Sequence, residues 1–273
     1  MRNIFRPIFF PVLTCLASCA PSALVPCAPN APDLEGKKDC NMSVQGNWEH
    51  AEVQTSYSPA KHMGILMNGY RGLFQGGQNY MWQCAGGYYL KKWNKKFDVF
   101  GGFGMGRHEV SGDWGVDFMH GGGNSGEIKS RFYDIFLQSD CYGRISDEWT
   151  FTFTLQYSAY HFSRFEYELT TESYTETQWM DHKYRLNCSN QHQLLFCSTF
   201  KKFYSPYFAV FLQPGLRLGF PFDAEVDQTS YYIHDTGTYA PSNIAWNASR
   251  LFFNTGLIFH FDKNVKKRNV QVF

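Results

Sequence analysis

The sequence predicts an all-β chain closed into an antiparallel transmembrane barrel, with ten strands and eight as the alternative count. Three observations lead there. Aromatic residues make up 18% of the chain and charged residues also 18%, yet mean hydropathy is only −0.38. No apolar run reaches the ~18 residues of a helical span, whereas alternating lipid-facing and lumen-facing residues account for this composition. Strand after strand sets an aromatic or aliphatic face against a polar one. Connections alternate between short turns and long polar stretches, as barrels do when turns lie on one side of a membrane and loops on the other.

The chain has 273 residues. It opens with Arg2 and Arg6, an apolar run from Ile8 to Leu16, and then Leu16-Ala17-Ser18-Cys19. A positive segment, an apolar core and small residues before a cut site form an export signal over residues 1–18. The cysteine directly after Leu-Ala-Ser resembles the lipobox of bacterial lipoproteins, which implies lipidation at Cys19. Cys15 is a poorer acceptor, because Val12-Leu13-Thr14 lacks the small residue expected there. Residues 19–39 carry Pro21, Pro26, Pro29 and Pro32 among small residues, with no acidic side chain before Asp33. They read as an extended tether rather than a packed element.

From Cys40 to residue 262 the chain reads as the barrel. Met42 to Trp48 is the first strand, followed by the segment ending near Tyr57 and its partner after the turn Pro59-Ala60-Lys61-His62. In Tyr80 to Lys92, Tyr80, Trp82, Cys84, Tyr88 and Leu90 share a face. In Phe97 to His108, Phe97, Val99, Phe103 and Met105 do so. Phe132 to Gly143 sets Tyr133, Ile135 and Leu137 against Asp134, Gln138 and Asp140. Trp149 to Tyr160 is the clearest alternation, with Phe151, Phe153, Leu155 and Tyr157 opposite Thr150, Thr152, Thr154 and Gln156. This is period two with β-branched residues that suit a strand. Leu194 to Lys201 and Pro206 to Phe220 form a hairpin joined near Phe203 to Ser205, and Arg250 to Phe261 closes the set. Omitting Met42 to Trp48 and Leu194 to Lys201 gives the eight-stranded count.

The tight turns are Pro59 to His62, Asn94 to Lys96 and Ser146 to Glu148; Ser111 to Ser130, Arg164 to Leu186 and Asp223 to Ser249 are long and polar. An even strand count keeps both ends of the barrel on the short-turn side. Residues 263–273 form a basic tail with Lys263, Lys266, Lys267 and Arg268. Either Phe261 or Phe273 supplies the terminal aromatic by which barrels are recognised for assembly.

Tyr57-Ser58-Pro59-Ala60-Lys61-His62-Met63-Gly64-Ile65-Leu66-Met67-Asn68-Gly69-Tyr70 resembles a stretch of the small outer-membrane barrel lipoproteins of the Bacteroidota type. Gly86-Gly87-Tyr88-Tyr89 and Gly101-Gly102-Phe103-Gly104 resemble the next hairpin of that group. The likeness spans roughly Cys19 to Arg107. It implies a Gram-negative outer membrane, and a lipid anchor in the periplasmic leaflet because Ala20 to Asn30 lacks the acidic residues of surface lipoproteins.

The functional expectation is a structural or interaction subunit of an outer-membrane assembly, without catalysis, contacting lipid and a protein partner but no nucleic acid. Net charge is +1, so no charged partner is steered. No cofactor and no metal are expected, since no Cys-x2-Cys occurs. Two alternatives are an outer-membrane hydrolase and a small-solute channel. The hydrolase would combine Asp113, Asp117 and His120 with His234 and Asp235, an Asp-His pair able to activate water. Gly121-Gly122-Gly123 has no Gly-Lys-Ser/Thr after it, so a P-loop is excluded. Trp93, Trp149, Tyr157, Tyr160 and Phe162 are expected in interfacial girdles. Trp114, Trp179, Tyr231, Tyr232 and Tyr239 lie in the long connections as girdle or contact residues. Of the eight cysteines, Cys27, Cys40, Cys84, Cys141, Cys188 and Cys197 remain to pair or stay free. Cys27 with Cys40 is a candidate tether disulfide, and Cys84 and Cys141 are candidate lipid-facing residues.

Overall fold

The computed structural model describes residues 27–47, 50–73, 78–92, 95–116, 123–174, 179–187, 189–222, 225–230 and 250–261. The strands are β1 (Cys40–Gly46), β2 (His50–Ala60), β3 (Met63–Gly72), β4 (Tyr80–Lys92), β5 (Lys95–Val116), β6 (Gly123–Arg144), β7 (Trp149–Tyr174), β8 (Trp179–Asn187), β9 (Asn190–Ser205), β10 (Phe208–Phe222), β11 (Glu225–Ser230) and β12 (Arg250–His260). All pairings among them are antiparallel. Ten of them close a ring, because β7 pairs with β9 while the sheet runs from β7 through β1 and β12 back to β10 and β9. The described part of the expected first strand, Met42 to Gly46, and Leu194 to Lys201 therefore fall at strands of the wall, β1 and β9, and the eight-stranded count is excluded. Closure leaves no unpaired edge around the wall.

The wall is apolar outside and polar inside. On β6, Ile135 is 67% exposed and its neighbour Asp134 only 1%. Val99, Phe103, Phe153, Leu155, Leu251 and Leu257 face outward; Gln54, Asn68, Gln83, Thr152, Gln156 and Asn254 are buried. Tyr80 and Tyr88, both exposed on β4, lie about 27 Å apart along the strand, the scale of the apolar band of a membrane barrel. Cys84 and Cys141, on the same outward faces, are half-buried and exposed. Tyr160 and Phe162, expected in a girdle, are instead buried. They share the parity of Thr150 and Ser158 on β7, and that parity points inward. Phe132 lies 5.7 Å from Tyr160 and 6.0 Å from Phe162, and Phe162 lies 4.9 Å from Phe165, all edge to face. A register shift at Arg131/Phe132 falls within this cluster, next to the last β7–β9 pair, His161↔Asn190.

Four short connections share one end: β2–β3, β4–β5, β6–β7 and β9–β10. The barrel's own ends lie there too, since Phe261 N–H bonds the Cys40 carbonyl at 2.9 Å. At the other end, two stretches expected to be loops, Ser111 to Ser130 and Arg164 to Leu186, are largely strand, while residues 231–249 of the third lie outside the described residues. β5 and β6 stay paired to Val116↔Gly123, although β4 pairs with β5 only as far as Tyr80↔Arg107. With the upper half of β7, and with β8 and β11, they form a sheet that projects beyond the wall. Backbone groups past the rim need partners, and pairing continues wherever adjacent strands run on.

The largest departure from expectation concerns residues 27–39. Instead of hanging free as a tether, residues 27–34 pass through the lumen, where Cys27, Ala28 and Leu34 are buried, and residues 35–39 form its foot. A lumen lined with hydrogen-bonding groups is stable when something fills and satisfies it, and a proline-punctuated segment does this. The Cys27–Cys40 disulfide is not formed, both thiols being free, because the two residues sit at different heights of this passage. At its foot the chain turns: Asp39 accepts the Glu35 and Gly36 N–H groups at 2.6 and 2.7 Å, and Lys38 takes a positive φ of 73°.

Leu34 seats beside Gly64 and Phe100. A Cβ added at Gly64 would lie 2.8 Å from Leu34 Cδ1 and 2.9 Å from Phe100 Cε1, so only glycine leaves room for this seat. Gly64→Val is expected to unseat Leu34 and lower stability by about 1–3 kcal/mol. Urea unfolding of the vesicle-reconstituted barrel would read the shift, and an unchanged midpoint would refute the seat.

Candidate functional site

The lumen holds the densest polar chemistry among the described residues, organised around the threaded segment. Proline has no N–H, and an extended chain with Pro29 and Pro32 offers the wall mainly carbonyls. The wall answers with donors from different strands. Gln54 Nε2 donates to the Ala28 carbonyl at 2.7 Å, Gln213 Nε2 to Pro29 at 3.1 Å and Gln138 Nε2 to Asn30 at 2.6 Å. Lys201 Nζ donates to Ala31 at 2.6 Å and Lys96 Nζ to Pro32 at 2.7 Å, where the Tyr142 hydroxyl also donates. Five consecutive carbonyls are thus capped. The Ala28 N–H donates to Glu52 Oε2 at 3.1 Å, and Asn30 Nδ2 to the Asn68 side chain at 3.0 Å.

A further layer holds these donors in place. Glu52 accepts from Gln54 and Gln45, both at 3.0 Å. Asp140 accepts from Gln138 at 2.7 Å and Thr154 at 2.5 Å. Thr199 accepts from Gln213 at 3.0 Å. Lys96 forms an ion pair of 3.0 Å with Asp98, both nearly inaccessible, and its ammonium lies 4.1 Å from the centre of the Tyr142 ring. The cavity left beside Pro29 to Asp33 measures about 20 Å³, room for about one water.

These inward Gln, Lys and Asp residues lie on faces that the alternation identified as polar. Asp134, Gln138, Asp140 and Thr154 were legible in that way. The role of Gln54, Lys96, Lys201 and Gln213 as carbonyl donors was not. The only sequence signal for it was the coincidence of a charge-free, proline-rich stretch with amide-rich strand faces. Other sequence candidates are not brought together by anything described. Cys19 and the export signal, Trp93, Asp117, His120, Cys188, Tyr231, Tyr232, His234, Asp235, Tyr239 and residues 263–273 lie outside the described residues. Asp113 and Trp114 are placed on β5 and Trp179 on β8 by backbone alone. Among the described residues no group of three or more His, Cys, Asp or Glu could hold a metal.

Lys96→Met is expected to lower stability by about 3–5 kcal/mol, because it leaves the Asp98 carboxylate buried without its cation. Lys96→Met with Asp98→Leu should recover most of that loss. Urea midpoints in vesicles, compared in a double-variant cycle, provide the check; equal losses in the single and double variants would refute the pairing.

No protein-family model and no curated protein matches the chain. Among solved structures it is similar to the outer membrane protease OmpT from Escherichia coli, at 12% identity and a TM-score of 0.43 over 83% of this chain and 94% of that one. It is also similar to a major outer membrane protein from Thermus thermophilus, at 14% identity and 0.30 over 81% and 99%. A third similarity is to OmpT of Vibrio cholerae, at 9% identity and 0.19 over 82% and 96%. Likeness at this level assigns no residue a role.

Proposed function

We propose that this chain is a Gram-negative outer-membrane barrel that acts as a structural or interaction subunit, with its lumen closed by its own N-terminal segment. The observation that carries the reading is the capping of five consecutive carbonyls, Ala28 to Pro32, by side chains from the wall. A transport path needs an open lumen, and this lumen is spent on holding a peptide. The apolar exterior supports membrane placement: residues such as Ile135 and Phe103 would be an aggregation hazard in water but face hydrocarbon in a bilayer. The projecting sheet of β5, β6, β7, β8 and β11 offers a large surface beyond the membrane for a protein partner. Export and lipidation at Cys19 belong to the same reading, and mass spectrometry of the mature N-terminus tests them: an acylated Cys19 is expected, and an unmodified start elsewhere would refute it.

In planar bilayers the purified barrel should be indistinguishable from baseline, whereas a variant lacking residues 28–34 should conduct. A conducting wild-type protein would overturn the closed-lumen reading. Crosslinking in intact outer membranes should co-purify a stoichiometric partner; recovery of the barrel alone would count against the subunit reading.

Ile135→Arg should destabilise the vesicle-inserted barrel by about 2–4 kcal/mol, the penalty for a cation facing the bilayer midplane. Ile135→Leu should leave the unfolding midpoint nearly unchanged. Equal midpoints for both variants would argue that this face does not meet lipid.

A further inference from the structure

The path of residues 27–39 has a direction, and the direction is opposite to that of a tether held on the short-turn side. Successive contacts climb the wall as residue number falls. Lys38 N–H bonds the Ser58 carbonyl at 2.7 Å, close to the β2–β3 turn. Pro32 meets Lys96 and Tyr142, each within two residues of a short-turn end of its strand. Asn30 is held by Gln138 and by the Thr55 carbonyl. Ala28 is held by Glu52 and Gln54, where β2 has only Ala51 and His50 left before its far end. The chain thus rises from Cys40 to Cys27, from the short turns toward the long connections.

A return to the short-turn side is disfavoured by space. An extended chain needs a passage of roughly 5 by 10 Å, and the cavity beside Pro29 to Asp33 takes about one water. On the β2 side the far rim is near. Two residues of β2 beyond Glu52 amount to about 7 Å, and the eight residues from Cys19 to Cys27 reach about 27 Å when extended. Composition suits the passage: residues 20–32 hold no Asp, Glu, Lys, Arg or His, so none of their side chains takes a formal charge into the lumen.

We infer that the polypeptide is threaded through its own barrel, so that the mature amino terminus is presented on the face of the long connections rather than on that of the short turns. In an outer membrane this is the cell exterior, and a lipid on Cys19 would enter the outer leaflet. The expected periplasmic leaflet is then reversed. The inference rests on the outer-membrane placement proposed above, and the test separates the two.

Three epitope insertions in the full-length chain, expressed in its own membrane, decide the matter. One lies between Ala23 and Leu24, one between Gly121 and Gly122, and one between Lys61 and His62. Antibody staining of intact and permeabilised cells is compared. The first two tags should stain equally before and after permeabilisation, and the third only after it. A silent first tag on intact cells, with the second tag stained, overturns threading while leaving the membrane placement standing. A silent second tag overturns the placement, and the threading inference with it. Where the first insertion blocks folding, judged by loss of heat-modifiable mobility, Ser22→Cys with a membrane-impermeant maleimide replaces it. Labelling of intact cells above the parent chain is expected, and labelling only after permeabilisation overturns the inference.

Discussion

The interaction on which the structure depends is the capping of the threaded segment's carbonyls by amide and ammonium donors of the wall. A barrel of ten strands encloses more space than short side chains fill, and its inner face here is rich in Gln, Asn, Thr, Asp and Lys. Left unsatisfied, each buried polar group would cost about 1–3 kcal/mol. The segment supplies what that face lacks, an ordered row of acceptors with few competing donors. Wall and segment therefore need each other: the wall's donors want carbonyls, and a chain containing Pro29 and Pro32 cannot satisfy itself in a sheet.

Charge inside the lumen follows the same logic. Lys96 and Asp98 are both buried and sit 3.0 Å apart, with Lys96 also donating to Pro32. Lys201 donates to Ala31, so two cations end on neighbouring carbonyls of the segment. Backbone carbonyls and an aromatic face replace part of the lost water, which is the condition under which buried ions persist. Above them the lumen changes character. Phe132, Tyr160, Phe162 and Phe165 close ranks just where β6 and β7 shift register and leave the wall. Rings occupy the place at which the wall opens into the projecting sheet, so a bend in the strands coincides with a change in lining.

Much of the barrel was legible because strand parity is a local property. Alternation in Trp149 to Tyr160 and in Phe132 to Gly143 assigns inside and outside correctly without any knowledge of the partners. Tyr160 and Phe162 show how the rule is misapplied. Their aromatic character suggested a girdle, while their even parity placed them with Thr154 and Ser158, and parity prevailed because the backbone sets the direction of a side chain before its chemistry does. The long connections were misread for a different reason. A polar stretch such as Ser111 to Ser130 reads as loop when strands are expected to stop at the membrane surface, but hairpins lengthen wherever two neighbours continue together.

What the sequence determined by itself is the fold class, the wall strands in outline, the common end of the β2–β3, β4–β5 and β6–β7 turns and the outward apolar faces, because each follows from period two, turn residues and composition within one strand or one hairpin. What only the tertiary structure decided is how the ring closes, that β8 and β11 stand outside it, and that residues 27–34 run through the lumen toward the far end. Those facts depend on contacts such as Gln138 with Asn30 and Gln213 with Pro29, separated by 108 and 184 residues. A proline-rich stretch looks the same in a sequence whether water or a ring of glutamines surrounds it, and the closed wall makes that difference.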